Sequence, residues 1–181
     1  MGGASHSDDL DAMRREALNA GDRVSMEALR KAGKQTARER ISMLLDADSF
    51  VEVDTFVQHR SGDFNMHLHR PYGDGVVAGH GMIDGRRVVC FAQDFAVFSG
   101  TMGEMHARKI AKIAAFAEKA QLPLIGIWDG DGQRVEDGVP ALVATGELLD
   151  ILVACSGRIP IFSVILGTVA GVSALAAGLS Y

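Results

Sequence analysis

An α/β fold of repeated strand–helix units is predicted by three features of the sequence. Residues 75–83 and 86–92 are β-type runs joined at Asp84 and Gly85, a strong two-residue hairpin signal. Helical and extended patterns then alternate: helix 101–120, strand 123–128, helix 140–155, strand 159–166 and a last helix to 177. Glycine-bearing loops at 98–103, 130–138 and 167–171 follow the strands. In such folds ligands favour the loops beyond strand C-termini.

The 181 residues suit one domain with a real core. An apolar content of 48% with a net charge of −5 describes a globular chain and offers no basic footprint for nucleic acid. Cys90 and Cys155 both sit in apolar runs, which predicts buried free thiols and a cytoplasmic setting. No secretory pattern of a charged segment followed by an apolar one opens the sequence. MGGASHS matches the loose myristoylation pattern, and with no second membrane signal it is read as coincidence.

Taken in order, residues 8–32 carry apolar positions at helical spacing, with a break at Gly21 and Asp22 and a second segment capped by Ser25. This predicts a helical arm over 1–32, lying on the remaining domain (33–181) or on a neighbour. GKQTARER at 33–40 is basic and follows a glycine, but it is not a phosphate-binding P-loop, because position 28 is Ala and Gln35 follows Lys34. Residues alone favour a solvated helix face there, with a phosphate contact by Lys34, Arg38 or Arg40 as the rival.

Residues 49–57 alternate valines with acids, a half-buried strand. Residues 59–73 are polar and read as a solvated loop; His67 and His69 lack a third nearby ligand, so no metal site is expected. Thr101 and Glu104 have capping-box spacing for the helix that follows, and His106 reads as a surface or packing residue. DGDGQRVEDG at 129–138 begins like a calcium loop but has Arg134 where the turn glycine belongs, which rejects calcium.

The chain centres on residues 161–177, IFSVILGTVAGVSALAA. They read as a buried apolar strand, a small-residue turn at 167–171 and a helix. A helix start after a glycine turn exposes unpaired N–H groups that suit an anion or the oxyanion of a polarised thioester. The residues leave two readings open: such a site, or one more buried strand–turn–helix. The uncharged run 159–181 has the length of a membrane span, but Pro160, Gly167, Gly171 and Gly178 interrupt it, and no membrane contact is expected.

GKQTARERISMLLDADSFVEVD and YGDGVVAGHGMIDGRRVVCFAQDFAVFSGTMGEMHARKIAKI resemble the amino-terminal lobe of carboxyltransferase β subunits of biotin-dependent acyl-CoA carboxylases, the propionyl-CoA type above all. The resemblance runs from about Gly33 to the C-terminus. It implies a crotonase-like β-β-α superhelix, here an incomplete single lobe with a helical arm. It implies acyl-CoA as substrate and carboxybiotin, carried on a biotin carrier protein, as carboxyl donor. Backbone N–H groups would stabilise the thioester enolate, which fits a chain whose residues offer no acid/base or nucleophile constellation.

Carried over by motif, Gly171 and Val172 are the expected oxyanion donors, with Ala170 as the donor if the register shifts by one. Gly100 and the loop Gly130, Asp131, Gly132 and Arg134 would line the acyl pocket, and Lys34, Arg38 and Arg40 would meet CoA phosphates. The family's Ala-Gly-Gly reads Ala170-Gly171-Val172 here, and Asp131 stands where the family has glycine. A carboxylate within a few ångström of a developing enolate opposes it by about 1–4 kcal/mol, depending on exposure. The biotin-side hole belongs to a second lobe, so carboxylation would need a partner chain, and a homo-oligomer or obligate complex is expected. Two rivals remain: a decarboxylase or other thioester enzyme without biotin, and a non-catalytic assembly subunit.

Overall fold

A computed structural model of the chain describes residues 6–19 and 21–180. The amino-terminal MGGAS of the myristoylation pattern and Tyr181 lie outside the described residues. Two arm helices come first, α1 (His6–Leu18) and α2 (Arg23–Lys31). Asp22, not Ser25, caps α2: its carboxylate accepts the Ser25 N–H at 2.9 Å. The next helix, α3 (Ala37–Leu44), opens on a full capping box between Thr36 and Glu39.

A mixed five-stranded sheet follows in the spatial order β1-β2-β3-β4-β5. The hairpin β2 (Val76–Ile83) and β3 (Arg86–Gln93) is antiparallel and turns at Asp84 and Gly85 as predicted. Helix α4 (Glu104–Ala120) crosses to β4 (Leu124–Gly130), and α5 (Gly138–Cys155) crosses to β5 (Ile161–Val169), both in parallel register. Helix α6 (Gly171–Ala177) ends the described fold.

Strand periodicity divides the core between the two faces. Val77, Val88, Cys90, Ala92, Ile125 and Ile127 meet Ala37, Ile41 and Leu45 of the α3 segment. Val76, Ala78, Val89, Phe91 and Trp128 face α4 and α5, where Ile110, Ile113, Ala114, Leu148 and Leu152 close the layer. Covered on both sides, β3 carries the unbroken apolar run VVCFA. Cys90 and Cys155 are free and buried, and burial pushes the Cys90 thiol up to about 12. The segment Val135–Cys155 is long and apolar enough to cross a membrane, and its buried residues pack into this core layer.

Several expectations are corrected. The strand predicted at 49–57 shrinks to β1 (Val51–Glu52), because Asp54 adopts left-handed backbone (φ 56°) and its carboxylate pairs with Lys112 at 2.7 Å. Residues 59–73 hold short 3-10 turns at Asp63–Leu68 and Tyr72–Gly75, and His59 within them is buried, its Nε2 2.8 Å from the His69 carbonyl. The Thr101–Glu104 capping box does not form; Asp137 supplies the cap from a distant loop, accepting the Glu104 N–H at 2.9 Å. Strand β5 runs three residues further than predicted, and only Ile161 in it is buried. Its apolar residues Phe162, Val164, Ile165 and Leu166 are exposed, and among the described residues β5 pairs with β4 alone.

Candidate functional site

Parallel β3, β4 and β5 bring their C-terminal ends to one edge, and the three loops beyond them touch through their backbones. A Cβ on Gly130 would lie 2.2 Å from the Gly100 carbonyl oxygen. The Asp131 N–H donates to the Ser99 carbonyl at 3.1 Å. Met102 and Gln133 form an isolated parallel bridge, with Met102 N–H to Gly132 O at 2.7 Å and Arg134 N–H to Met102 O at 2.9 Å. Thr145 and the Met102 carbonyl also hold the Gln133 side chain, at 3.1 and 2.8 Å.

The loop after β4 then meets the turn after β5. Gly132 has φ +95°, a conformation that side chains rarely tolerate, and a Cβ there would lie 3.4 Å from the Ala170 carbonyl oxygen. Gly130 pairs with Val169 across a bulge at the end of the β4–β5 ladder. Ala170 is the residue before α6, and no side chain caps that helix. The first-turn amides of a helix have no partner within it. Those of α6 belong to Gly171, Val172 and Ser173. The Val172 side chain packs against the core, so it turns away from this junction. The chain thus brings Gly100, Gly130, Gly132, Ala170 and Gly171 to one place.

The 33–40 stretch is not a solvated face: Arg40 is only 5% exposed. Arg40 Nη2 donates to Asp129 Oδ2 at 2.7 Å, and Lys34 Nζ donates to Asp129 Oδ1 at 3.0 Å. Arg38 forks onto Glu52 at 2.6 and 3.0 Å and reaches the Ala17 carbonyl at 3.2 Å. All three cations are paired with carboxylates of the chain itself. Lys34 lines a cleft of about 340 Å³ shared with Ser25, Leu29, Phe95 and Ser99, and Arg38 lines a much smaller one with Tyr72 and Asp94.

Arg134 belongs to an ion-pair network inside the fold. It is buried, pairs with Asp74, lies 3.7 Å from Asp137, donates to the Thr101 carbonyl at 3.0 Å and stacks over Phe98 at 4.5 Å. It ties the 130–138 loop to the turn before β2. Asp131, by contrast, is exposed.

Sequence reasoning missed the polar residues beneath the loops. Gln93 accepts the Asp129 N–H at 3.1 Å and approaches His106 Nε2 at 3.3 Å. His106 is wholly buried; desolvation lowers it to about 3, so it is neutral at ordinary pH. Burial lowers Lys109 to about 8, and its Nζ donates to the Val76 carbonyl at 2.8 Å. Burial raises Asp74 and Asp94, against the pull of nearby arginines. One signal was available: Asp129 follows directly on LIGIW, and an acid closing a buried strand needs a cation. Among the described residues no group of three or more His, Cys, Asp or Glu could hold a metal ion.

The chain is similar in sequence and in fold to known proteins. The Carboxyl transferase domain family matches residues 28–181. The propionyl-CoA carboxylase beta chain of Saccharopolyspora erythraea is 48% identical over 163 residues, 90% of this chain and 30% of that protein. The methylmalonyl-CoA decarboxylase subunit alpha of Veillonella parvula is 46% identical over 151 residues, 83% of this chain and 30% of that one. Transcarboxylase 12S, solved as a hexamer assembly with methylmalonyl-coenzyme A bound, superimposes with a TM-score of 0.92 at 32% identity, covering 98% of this chain and 35% of that chain. The chain therefore spans about a third of the length of these relatives. The fold is a single crotonase-like carboxyltransferase lobe. The chain belongs to the carboxyl transferase domain family.

Proposed function

We propose that this chain is the acyl-thioester-binding lobe of a biotin-dependent acyl-CoA carboxyltransferase. The observation that carries the reading is the meeting of Gly132 with Ala170, where two backbone turns from neighbouring parallel strands converge. There the amides of Gly171 and Val172, with Ala170 as the shifted alternative, would donate to the thioester oxygen as it gains charge. Fixed backbone donors lower the barrier to the enolate because they need no reorganisation as the charge develops. Gly100 and Gly130 let the loops beneath this place pack backbone against backbone, which fixes its floor. Carboxybiotin, bound to a carrier protein, would supply the carboxyl group.

A partner chain would complete the active site. What supports a partner is the exposed β5 edge, together with the hexameric assembly described for transcarboxylase 12S. What supports a cytoplasmic setting is that Cys90 and Cys155 are both free thiols.

Calorimetric titration with acetyl-, propionyl- and malonyl-CoA, followed by mass spectrometry of the mixture, tests the reading. Binding without turnover is expected of the isolated chain. Loss of CO2 from malonyl-CoA would favour decarboxylation, a second reading that the exposed Asp131 carboxylate and the similarity to a methylmalonyl-CoA decarboxylase subunit support. No binding to any of the three would sink both readings and leave an assembly role.

A further inference from the structure

Asp129 closes β4 with its side chain wholly out of solvent. A buried carboxylate needs a cation, and this one has two. Arg40, itself buried, takes Oδ2 at 2.7 Å; Lys34, more exposed, takes Oδ1 at 3.0 Å. A second buried carboxylate, Asp94, is within electrostatic reach of Arg40 and Asp129, so charge balance alone does not set Lys34 apart; its position does.

Both backbone turns of the candidate site hang on this carboxylate. Gly130 follows Asp129 directly, and the Asp129 N–H is fixed by Gln93 at 3.1 Å. The Asp129 carbonyl packs on the loop after β3, where a Cβ on Gly100 would lie 2.3 Å from it. On its other side the carboxylate lies against β5: a Cβ on Gly167 would fall 1.9 Å from Asp129 Oδ1 and 2.6 Å from Lys34 Nζ. Gly167 leads through Thr168 and Val169 into Ala170. Lys34 is thus wedged between the end of β4 and the last stretch of β5, with its ammonium 4.6 Å above the Phe95 ring.

We infer that Lys34, acting through Asp129, is a positioning residue that sets the separation between the 130–134 loop and the 170–172 turn. Arg40 supplies the charge balance that the fold requires. The inference rests on the acyl-thioester reading and deepens it by naming what holds the two backbone turns in register.

Two variants separate this role from simple stability and from direct ligand contact. Lys34→Gln keeps Arg40 on Asp129, and Gly167→Ala moves the carboxylate without changing any charge. Calorimetry with propionyl-CoA is run beside propionyl-pantetheine, which lacks the nucleotide phosphates. Both variants are expected to weaken both ligands by about tenfold, or ~1.4 kcal/mol. Lys34→Arg is expected to restore affinity, and in the ligand-free protein the amide NMR signals of Gly132 and Gly171 are expected to move together in both weakened variants.

A loss confined to propionyl-CoA would mean that Lys34 touches a phosphate, and would overturn the inference. Unchanged affinity, or a loss that Lys34→Arg does not repair, would overturn it too. If the unmodified chain binds neither ligand, the acyl-thioester reading is what fails. The amide signals then decide the inference: if Gly171 is unmoved in Lys34→Gln it is wrong, and if both glycines move it stands.

Discussion

The carboxylate of Asp137 caps a helix that begins 33 residues earlier in the chain, accepting the Glu104 N–H at 2.9 Å. Helix α4 starts at Gly103, which has no side chain to cap with, so the orphan amide takes its acceptor from the loop after β4. Because Asp137 is buried, truncation leaves that amide unpaired. Asp137→Ala is expected to cost about 1–3 kcal/mol in urea denaturation. Asp137→Asn keeps an acceptor oxygen and is expected to lose less. Equal losses in the two variants would show that charge near Arg134 matters, not the cap.

Acid stability is expected to follow His106. Its folded pKa of about 3 lies below the ordinary 6.5, so the unfolded chain binds a proton that the native protein refuses. The stability this contributes is whole above pH 6.5 and is lost as pH falls from there toward 3, at a slope approaching about 1.4 kcal/mol per pH unit. Asp74, raised by burial, works the other way in the acid range, since its native form holds a proton longer than the unfolded one. The difference between wild type and His106→Gln isolates the histidine. Melting curves between pH 7 and 4 are expected to converge as pH falls; parallel curves would refute the assignment.

The repeating architecture was legible because its signals are local. The Asp84-Gly85 hairpin, the unbroken apolar β3 and β4, and the helical spacing of Ile110, Ile113, Ala114 and Ala117 each announce themselves within a few residues. The glycines of the three loops were legible for the same reason. What could not be read was pairing across long separations. Nothing near Thr101 says that Asp137 will displace it as the cap, and nothing near Lys34 says that its partner is Asp129, 95 residues on. Burial of β5 was misjudged because apolar composition records which residues can be covered, not whether the neighbouring surface is present. Its residues have strand composition, and among the described residues no further strand pairs with it.

The two edges of the sheet differ in a way that bears on assembly. Strand β1 is two residues long, and its Glu52 is locked to Arg38, features that discourage further pairing. Strand β5 is nine residues long and uncharged, with Ile165 59% and Phe162 52% exposed. Edges of that kind pair with another strand or aggregate. Sedimentation velocity is expected to show self-association of the isolated chain, and Ile165→Lys is expected to reduce it while leaving the circular dichroism spectrum unchanged. A stable monomer would contradict the proposed partner.

Asp131 gives the last and most direct test of the site. Its exposed carboxylate sits next to Gly132, which in turn faces Ala170. If negative charge develops on a thioester oxygen at the 170–172 turn, Asp131 opposes it through solvent, and salt screens that opposition within roughly 8–10 Å. Asp131→Gly is therefore expected to tighten binding of a charged acyl-CoA such as malonyl-CoA severalfold at low ionic strength, about 1 kcal/mol or less. The gain is expected to shrink at high salt. Acetyl-CoA, with no charge on its acyl end, is expected to gain less. An equal gain for both ligands that persists at high salt would mean that the substitution acts through backbone freedom at residue 131, and the electrostatic account of this position would have to be abandoned.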